Sequence, residues 1–188
     1  MMKRIAIFAS GNGTNAENIC KYFEGSKKVS VVLLLTNNKK AGVLKKVRCF
    51  SLDNVVFSKK DLNCSSLIEE HLSKHAVNLI VLAGFLLKIP QRVLEIYEKK
   101  IINVHPSLLP KYGGRGMYGI NVHKAVLENK ESESGITFHY VNEGYDEGEI
   151  IQQVKCVVTN NETVFSLQQK INRLEMEFFP KIIEKLLK

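Results

Sequence analysis

Several features that would direct a reading are missing from this sequence. Its four cysteines, Cys20, Cys49, Cys64 and Cys156, are widely spaced and form no Cys-x-x-Cys pair. That excludes the common structural-zinc and dithiol motifs, and free thiols suit a reducing cytoplasm. No apolar run reaches the ~20 residues that a membrane span requires. Met1 leads almost at once into a strand pattern, so no secretory leader is expected. No repeat, low-complexity tract or linker interrupts the chain. The five histidines show no metal-ligand spacing, so no metal is expected. The net charge is +8, from 27 Lys+Arg against 19 Asp+Glu, yet no basic stripe interleaved with aromatics stands out. The lysines fall in scattered pairs, such as Lys27-Lys28, Lys45-Lys46 and Lys59-Lys60. They read as solvated faces that help to attract anionic small molecules, with no specific nucleic acid and no membrane as partner.

What is present is an ordinary globular composition, 188 residues with 45% hydrophobic and 24% charged. That length suits one domain over residues 1–188 with a substantial core. Strand and helix patterns alternate along it. Residues 5–9, 31–35, 79–82 and 101–104 read as buried strands. Ala16, Ile19, Cys20 and Phe23 fall at helical spacing, as do Leu67, Ile68, His71 and Leu72. Pro90 fits the first turn of a helix carrying Val93, Leu94 and Tyr97. Residues 136–141 and 150–158 read as late strands with room for antiparallel pairing. In the first of these, alternation sets His139 on the face opposite Ile136, Phe138 and Tyr140. A last helix carries Val164, Leu167, Ile171, Leu174 and Phe178, with a capping box at Thr159-x-x-Glu162 and a bend at Pro180. The pattern predicts an α/β, Rossmann-like fold, a mostly parallel central sheet flanked by helices on both faces.

Three segments carry chemistry. The first, Ser10-Gly11-Asn12-Gly13-Thr14-Asn15, is a glycine-rich turn between a strand and a helix. Such a turn brings backbone N–H groups and a helix N-terminus to an anion, although it also serves as a plain tight turn. The full dinucleotide fingerprint is absent, since Gly11-x-Gly13 is followed by Ala16 and Glu17. The second strand ends in Thr36-Asn37-Asn38, without an acidic residue for a ribose. A phosphate on a small substrate therefore fits better than NAD. The second segment is Asn103-Val104-His105-Pro106-Ser107-Leu108-Leu109-Pro110, which follows the apolar Ile101-Ile102. It sets an amide and an imidazole at the carboxyl edge of a sheet, where open α/β sheets bind ligands. Asn103 can donate to a developing oxyanion, and His105 can donate or move a proton. The third segment holds Asp146, between Gly144 and Gly148. It reads either as a solvent-facing turn or as a carboxylate that pairs with His105.

Together these strings resemble the folate-dependent formyltransferases. The resemblance rests on Ser-Gly-Asn-Gly-Thr-Asn, Leu82-Ala83-Gly84-Phe85, Asn-x-His-Pro-Ser-Leu-Leu-Pro and Asp-x-Gly-x-Ile-Ile, in that order, and it covers nearly the whole chain. It implies transfer of a formyl group from 10-formyltetrahydrofolate, as co-substrate, to the amine of phosphoribosylglycinamide. Asn103, His105 and Asp146 match the family's catalytic positions. Gly13, Thr14 and Asn15 match its phosphate turn, and Glu175 matches the position that contacts the ribose. The folate pterin is expected near Leu86, Leu87, Lys88 and Ile89, with Asn103 also meeting the cofactor. A basic residue that meets the folate is expected at Lys60 or its neighbour Lys59. Two departures stand out: Ala-Gly-Phe-Leu-Leu-Lys-Ile replaces the common Ala-Gly-Phe-Met-Arg-Ile-Leu, and the glycine loop at residues 113–119 is longer than in the shortest members. A formyltransferase for another amine, a formyltetrahydrofolate hydrolase and a non-catalytic phosphate-binding module share parts of this pattern. The first two usually carry a further domain, so from the short length they are not expected here. The expected chain is a cytoplasmic monomer or homodimer.

Overall fold

Short apolar runs set the strands, and 3.6-residue spacing sets the helices between them. The computed structural model describes Met1–Lys188. In chain order the elements are β1 (Lys3–Phe8), α1 (Thr14–Phe23), β2 (Val29–Thr36), α2 (Val43–Lys46), β3 (Asp53–Val56), α3 (Lys59–Cys64), α4 (Leu67–Lys74) and β4 (Leu79–Leu82). They continue with α5 (Gln91–Ile96), β5 (Ile101–His105), α6 (Ile120–Glu128), β6 (Glu133–Tyr140), β7 (Ile150–Val157) and α7 (Val164–Leu186). The seven strands form one mostly parallel sheet in the order β3-β2-β1-β4-β5-β6-β7. The chain divides into two compact units, one of Met1–Ile102 with Pro180–Lys188 and one of Asn103–Phe179.

In the first unit β1 pairs in parallel with β2 and β4, and β2 pairs in parallel with β3. The apolar residues of β4 are all buried, as are the last four of β1. Continuous apolar runs are what parallel strands need when both faces are covered. Each fully buried aliphatic side chain, such as Ile5, Ile7 or Leu33, contributes about 1.5–3 kcal/mol. Phe8 makes edge contacts with Phe85 and Phe57, with ring centroids 5.2 and 6.2 Å apart. That cluster anchors the chain just before Leu86. Lys59 and Lys60 open a short helix, α3, whose amphipathic signal is too brief to register as periodicity. Ser58 caps it with Asp61 in a reciprocal capping box. Pro90 is the N-cap of α5, one position earlier than the first-turn placement expected from sequence.

In the second unit β6 and β7 are antiparallel, with Glu133 opposite Val157 and a register shift between Phe138 and His139. Here strict alternation fails. Ile136, Thr137, Phe138 and His139 are all buried, because both faces of β6 are covered. Thr137 Oγ1 accepts the Leu109 N–H at 3.0 Å and donates to the Ser107 carbonyl at 2.7 Å, which fastens the Pro-bounded loop to β6. The start of α7 is also corrected. Thr163, not Thr159, meets the first turn, accepting the Ser166 N–H at 3.1 Å. The helix assignment continues through Pro180 to Leu186.

Candidate active site

β5 delivers Asn103 and His105 two residues apart, and so on one side of the strand. His105 is buried, and both of its ring nitrogens are engaged. Nε2 lies 2.7 Å from the Tyr112 carbonyl oxygen, and Nδ1 lies 3.3 Å from Asp146 Oδ2. A carbonyl only accepts, so Nε2 must carry a proton. If Nδ1 also donates to the carboxylate, the ring carries two protons and a positive charge. The ring is placed so that its doubly protonated form would be paired with a carboxylate.

The two loops that supply these partners have unusual backbone geometry. Tyr112 and Asp146 both lie in the left-handed region, at φ 57° and 59°, which residues with a side chain seldom adopt. Gly113 allows the close approach, since a Cβ there would stand 2.6 Å from Leu109 Cδ2 and 3.4 Å from Asp146 Cβ. The Gly114 N–H donates to Asp146 Oδ2 at 2.9 Å. Burial of Asp146 works against its ionisation, but its contacts with His105 and the Gly114 N–H outweigh that cost. The carboxyl is held well below the ordinary carboxylate range. Asp146 is thus no solvent-facing turn residue: its side chain is only 14% exposed, against 4% for His105.

His139 completes the cluster. Its Nε2 lies 3.1 Å from Asn103 Nδ2 and 3.6 Å from Asp146 Oδ1. The sequence offered one signal for it, a polar residue in an otherwise apolar strand. Asn103, His105 and Asp146, expected as the catalytic group, are brought together here with His139 as a fourth member. The other histidines stand elsewhere. His75 pairs with Asp53 at 2.9 Å, and its other ring nitrogen meets the His71 carbonyl at 2.7 Å. His123 is buried in α6, where burial alone pushes its pKa down.

The phosphate-turn residues lie in the first unit. Gly13 is the N-cap of α1 at φ 73°, and a Cβ on it would fall 2.4 Å from Val43 Cβ. Only glycine meets both demands. No side chain caps α1, which leaves its N-terminus suited to an anion. Thr14 is exposed and Asn15 half-buried. Thr14 Oγ1 accepts a hydrogen bond from Lys46 Nζ at 3.2 Å, and Lys46 also pairs with Glu17 at 3.2 Å. Lys46 was hidden among the paired lysines of the sequence.

Ser10 ties this turn to the expected pterin segment. Its hydroxyl donates to Asn37 Oδ1 at 2.7 Å and accepts the Leu86 N–H at 3.1 Å. Leu86 and Lys88 are exposed and Leu87 half-buried, whereas Ile89 belongs to the core. Lys60 stands exposed in the first turn of α3, and Glu175 is half-buried on α7.

The chain and its fold are similar to known proteins. The formyl transferase family model matches residues 3–183. The chain is 38% identical, over 96% of its length, to a chloroplastic phosphoribosylglycinamide formyltransferase of Arabidopsis thaliana, and it spans 64% of that protein. It is 36% identical to the phosphoribosylglycinamide formyltransferase of Bacillus subtilis, over 99% of this chain and 95% of that one. Among solved structures, glycinamide ribonucleotide transformylase 1 from Geobacillus kaustophilus superposes with a TM-score of 0.89 at 34% identity, covering 100% of both chains.

Proposed function

The chain belongs to the formyl transferase family, and from that premise we propose that it formylates the amine of 5'-phosphoribosylglycinamide, with 10-formyltetrahydrofolate as formyl donor, a step of de novo purine biosynthesis. The observation that carries this reading is the cluster of Asn103 and His105 on β5 with Asp146, in which one carboxylate stands against one buried imidazole at 3.3 Å. The relatives named for the same activity support the choice of acceptor.

In this reading the acceptor amine attacks the formyl carbon, and the carbonyl π electrons move onto oxygen. Asn103 Nδ2–H and His105 Nδ1–H stabilise that oxyanion. The Nδ1 proton is the more available of the ring's two, because its contact with Asp146 is longer than the 2.7 Å bond from Nε2 to Tyr112. The bond from carbon to the folate nitrogen then breaks. The attacking amine loses a proton and the departing nitrogen gains one, through the His105–Asp146 pair. Holding the two substrates together supplies much of the remaining acceleration. Gly13, Thr14 and Asn15 bind the phosphate, and Glu175 meets the ribose. The main chain of residues 86–89 holds the pterin, while Lys60 attracts the more distant anionic part of the folate.

The test is release of tetrahydrofolate from the formyl donor by the purified chain, with and without the ribonucleotide. Release that depends on the ribonucleotide supports the reading. Release without it indicates a hydrolase, and no release in either case indicates a binding module.

A further inference from the structure

His139 is the one buried polar ring of β6, and it stands at the register shift between Phe138 and His139. A bulge of this kind re-aims a side chain at a functional site. Both ring nitrogens of His139 have partners. Nδ1 lies 2.9 Å from the Tyr140 carbonyl oxygen, an acceptor only, so Nδ1 carries the proton. Nε2 then faces two groups. Asp146 Oδ1 at 3.6 Å is beyond hydrogen-bond reach, whereas Asn103 Nδ2 at 3.1 Å is within it. Asp146 already has His105 as its nearer partner, at 3.3 Å. Two protonated rings on the same carboxylate would leave one without a balancing charge in this cluster. With Nε2 unprotonated, the only amide group of Asn103 that can face it is the NH2.

We propose that His139 is a positioning residue that acts through Asn103. Its neutral ring, protonated on Nδ1, clamps the Asn103 amide in one of its two flipped orientations. One amide N–H is bound to His139 Nε2, and the other is left for the formyl oxygen. Without this clamp the amide could turn its carbonyl oxygen toward the developing oxyanion, which would oppose the reaction instead of assisting it. The role rests on the formyl-transfer reading given above, but the clamp itself can be measured independently.

Two measurements test the proposal. In the intact protein labelled with ¹⁵N in its histidine rings, His139 should show a pyrrole-type Nδ1 and a pyridine-type Nε2 at neutral pH. A protonated Nε2, whether in the other tautomer or in a charged ring, overturns the proposal. In kinetics, His139→Leu should lower kcat about 10- to 100-fold, with much smaller changes in either KM. His139→Gln places an amide oxygen near the lost acceptor and should recover most of kcat. If Leu and Gln variants of equal thermal stability lose activity equally, the ring acts only through packing and the proposal fails. A wild-type chain that releases no tetrahydrofolate defeats the formyl-transfer reading, and the nitrogen spectra then still decide the clamp.

Discussion

The turn at residues 10–15 and the cluster around Asp146 organise polar groups by opposite means. The turn works through its main chain. Gly13 bends it, Val43 packs against it, and the donors it offers are N–H groups that any sequence of the right shape would supply. The cluster works through side-chain chemistry. Asn103, His105, Asp146 and His139 are linked by contacts of 3.1 to 3.6 Å, and each link depends on a particular protonation state. A site made of backbone should respond to substitutions that change shape. A site made of side chains should respond to substitutions that keep shape and change chemistry.

The sharpest break of that comparison lies at the oxyanion donors. Asn103→Ala and His105→Ala should each lower kcat by about 10²- to 10³-fold, the scale of one lost oxyanion contact. Their KM values should move far less, because the interaction strengthens in the transition state. Steady-state kinetics with both substrates varied checks this. Near wild-type turnover in either variant would remove that residue from the chemistry.

Asp146→Asn comes next, as the nearly isosteric change that alters only charge. It should lower kcat by about 10²-fold, the lower end of general acid–base contributions. It also carries a pH signature in stability. The folded carboxyl titrates well below its ordinary value of 3.8, so its stabilisation is fully present above that value. It is lost as pH falls from there toward the depressed folded value. The gap in melting temperature between wild type and Asp146→Asn should be widest near neutrality and should narrow below about pH 4. A gap that stays constant across that range would mean that the charge of Asp146 contributes nothing to the fold.

At the turn the corresponding probe is Gly13→Ala. The new Cβ meets Val43 at 2.4 Å and the backbone stays at φ 73°. Strain of about 1–3 kcal/mol is expected in the folded state. If the turn relaxes by shifting α1, KM for the ribonucleotide should rise by about tenfold, with the folate KM unchanged. A variant that loses stability while keeping its ribonucleotide KM would separate the turn's structural role from binding.

The same contrast explains what was legible in the sequence. The strands of the sheet announce themselves as apolar runs, and Asn103, His105 and Gly13 sit in motifs whose spacing carries the chemistry. Asp146 was readable as a candidate only. Its meeting with His105 depends on how Tyr112 and Gly113 turn the chain, and no local pattern encodes that. His139 looked like one member of an alternating strand, but alternation fails where β6 is covered on both faces and shifts register. Lys46 gave no signal, because its contact with Thr14 spans 32 positions of sequence and its neighbours are also lysines.

The smallest expected effect concerns the exposed lysines of α3, where neither shape nor protonation is at stake. Lys59→Ala with Lys60→Ala removes two solvated charges and leaves the Ser58–Asp61 capping box in place. Exposed charges of this kind act through a screened field, at most about 1 kcal/mol each at moderate ionic strength. KM for the folate should therefore rise by about 2- to 5-fold in dilute buffer, with kcat and the ribonucleotide KM unchanged. The increase should shrink toward zero as salt is raised, because the Debye length falls to about 3 Å at 1 M. It should also be larger for a folate with several glutamates than for one with a single glutamate, since added carboxylates enlarge the charge that the lysines attract. An increase that is independent of salt would point to a direct, desolvated contact at Lys59 or Lys60. That would move α3 from the class of solvated faces into the class of specific side-chain sites that the Asp146 cluster represents.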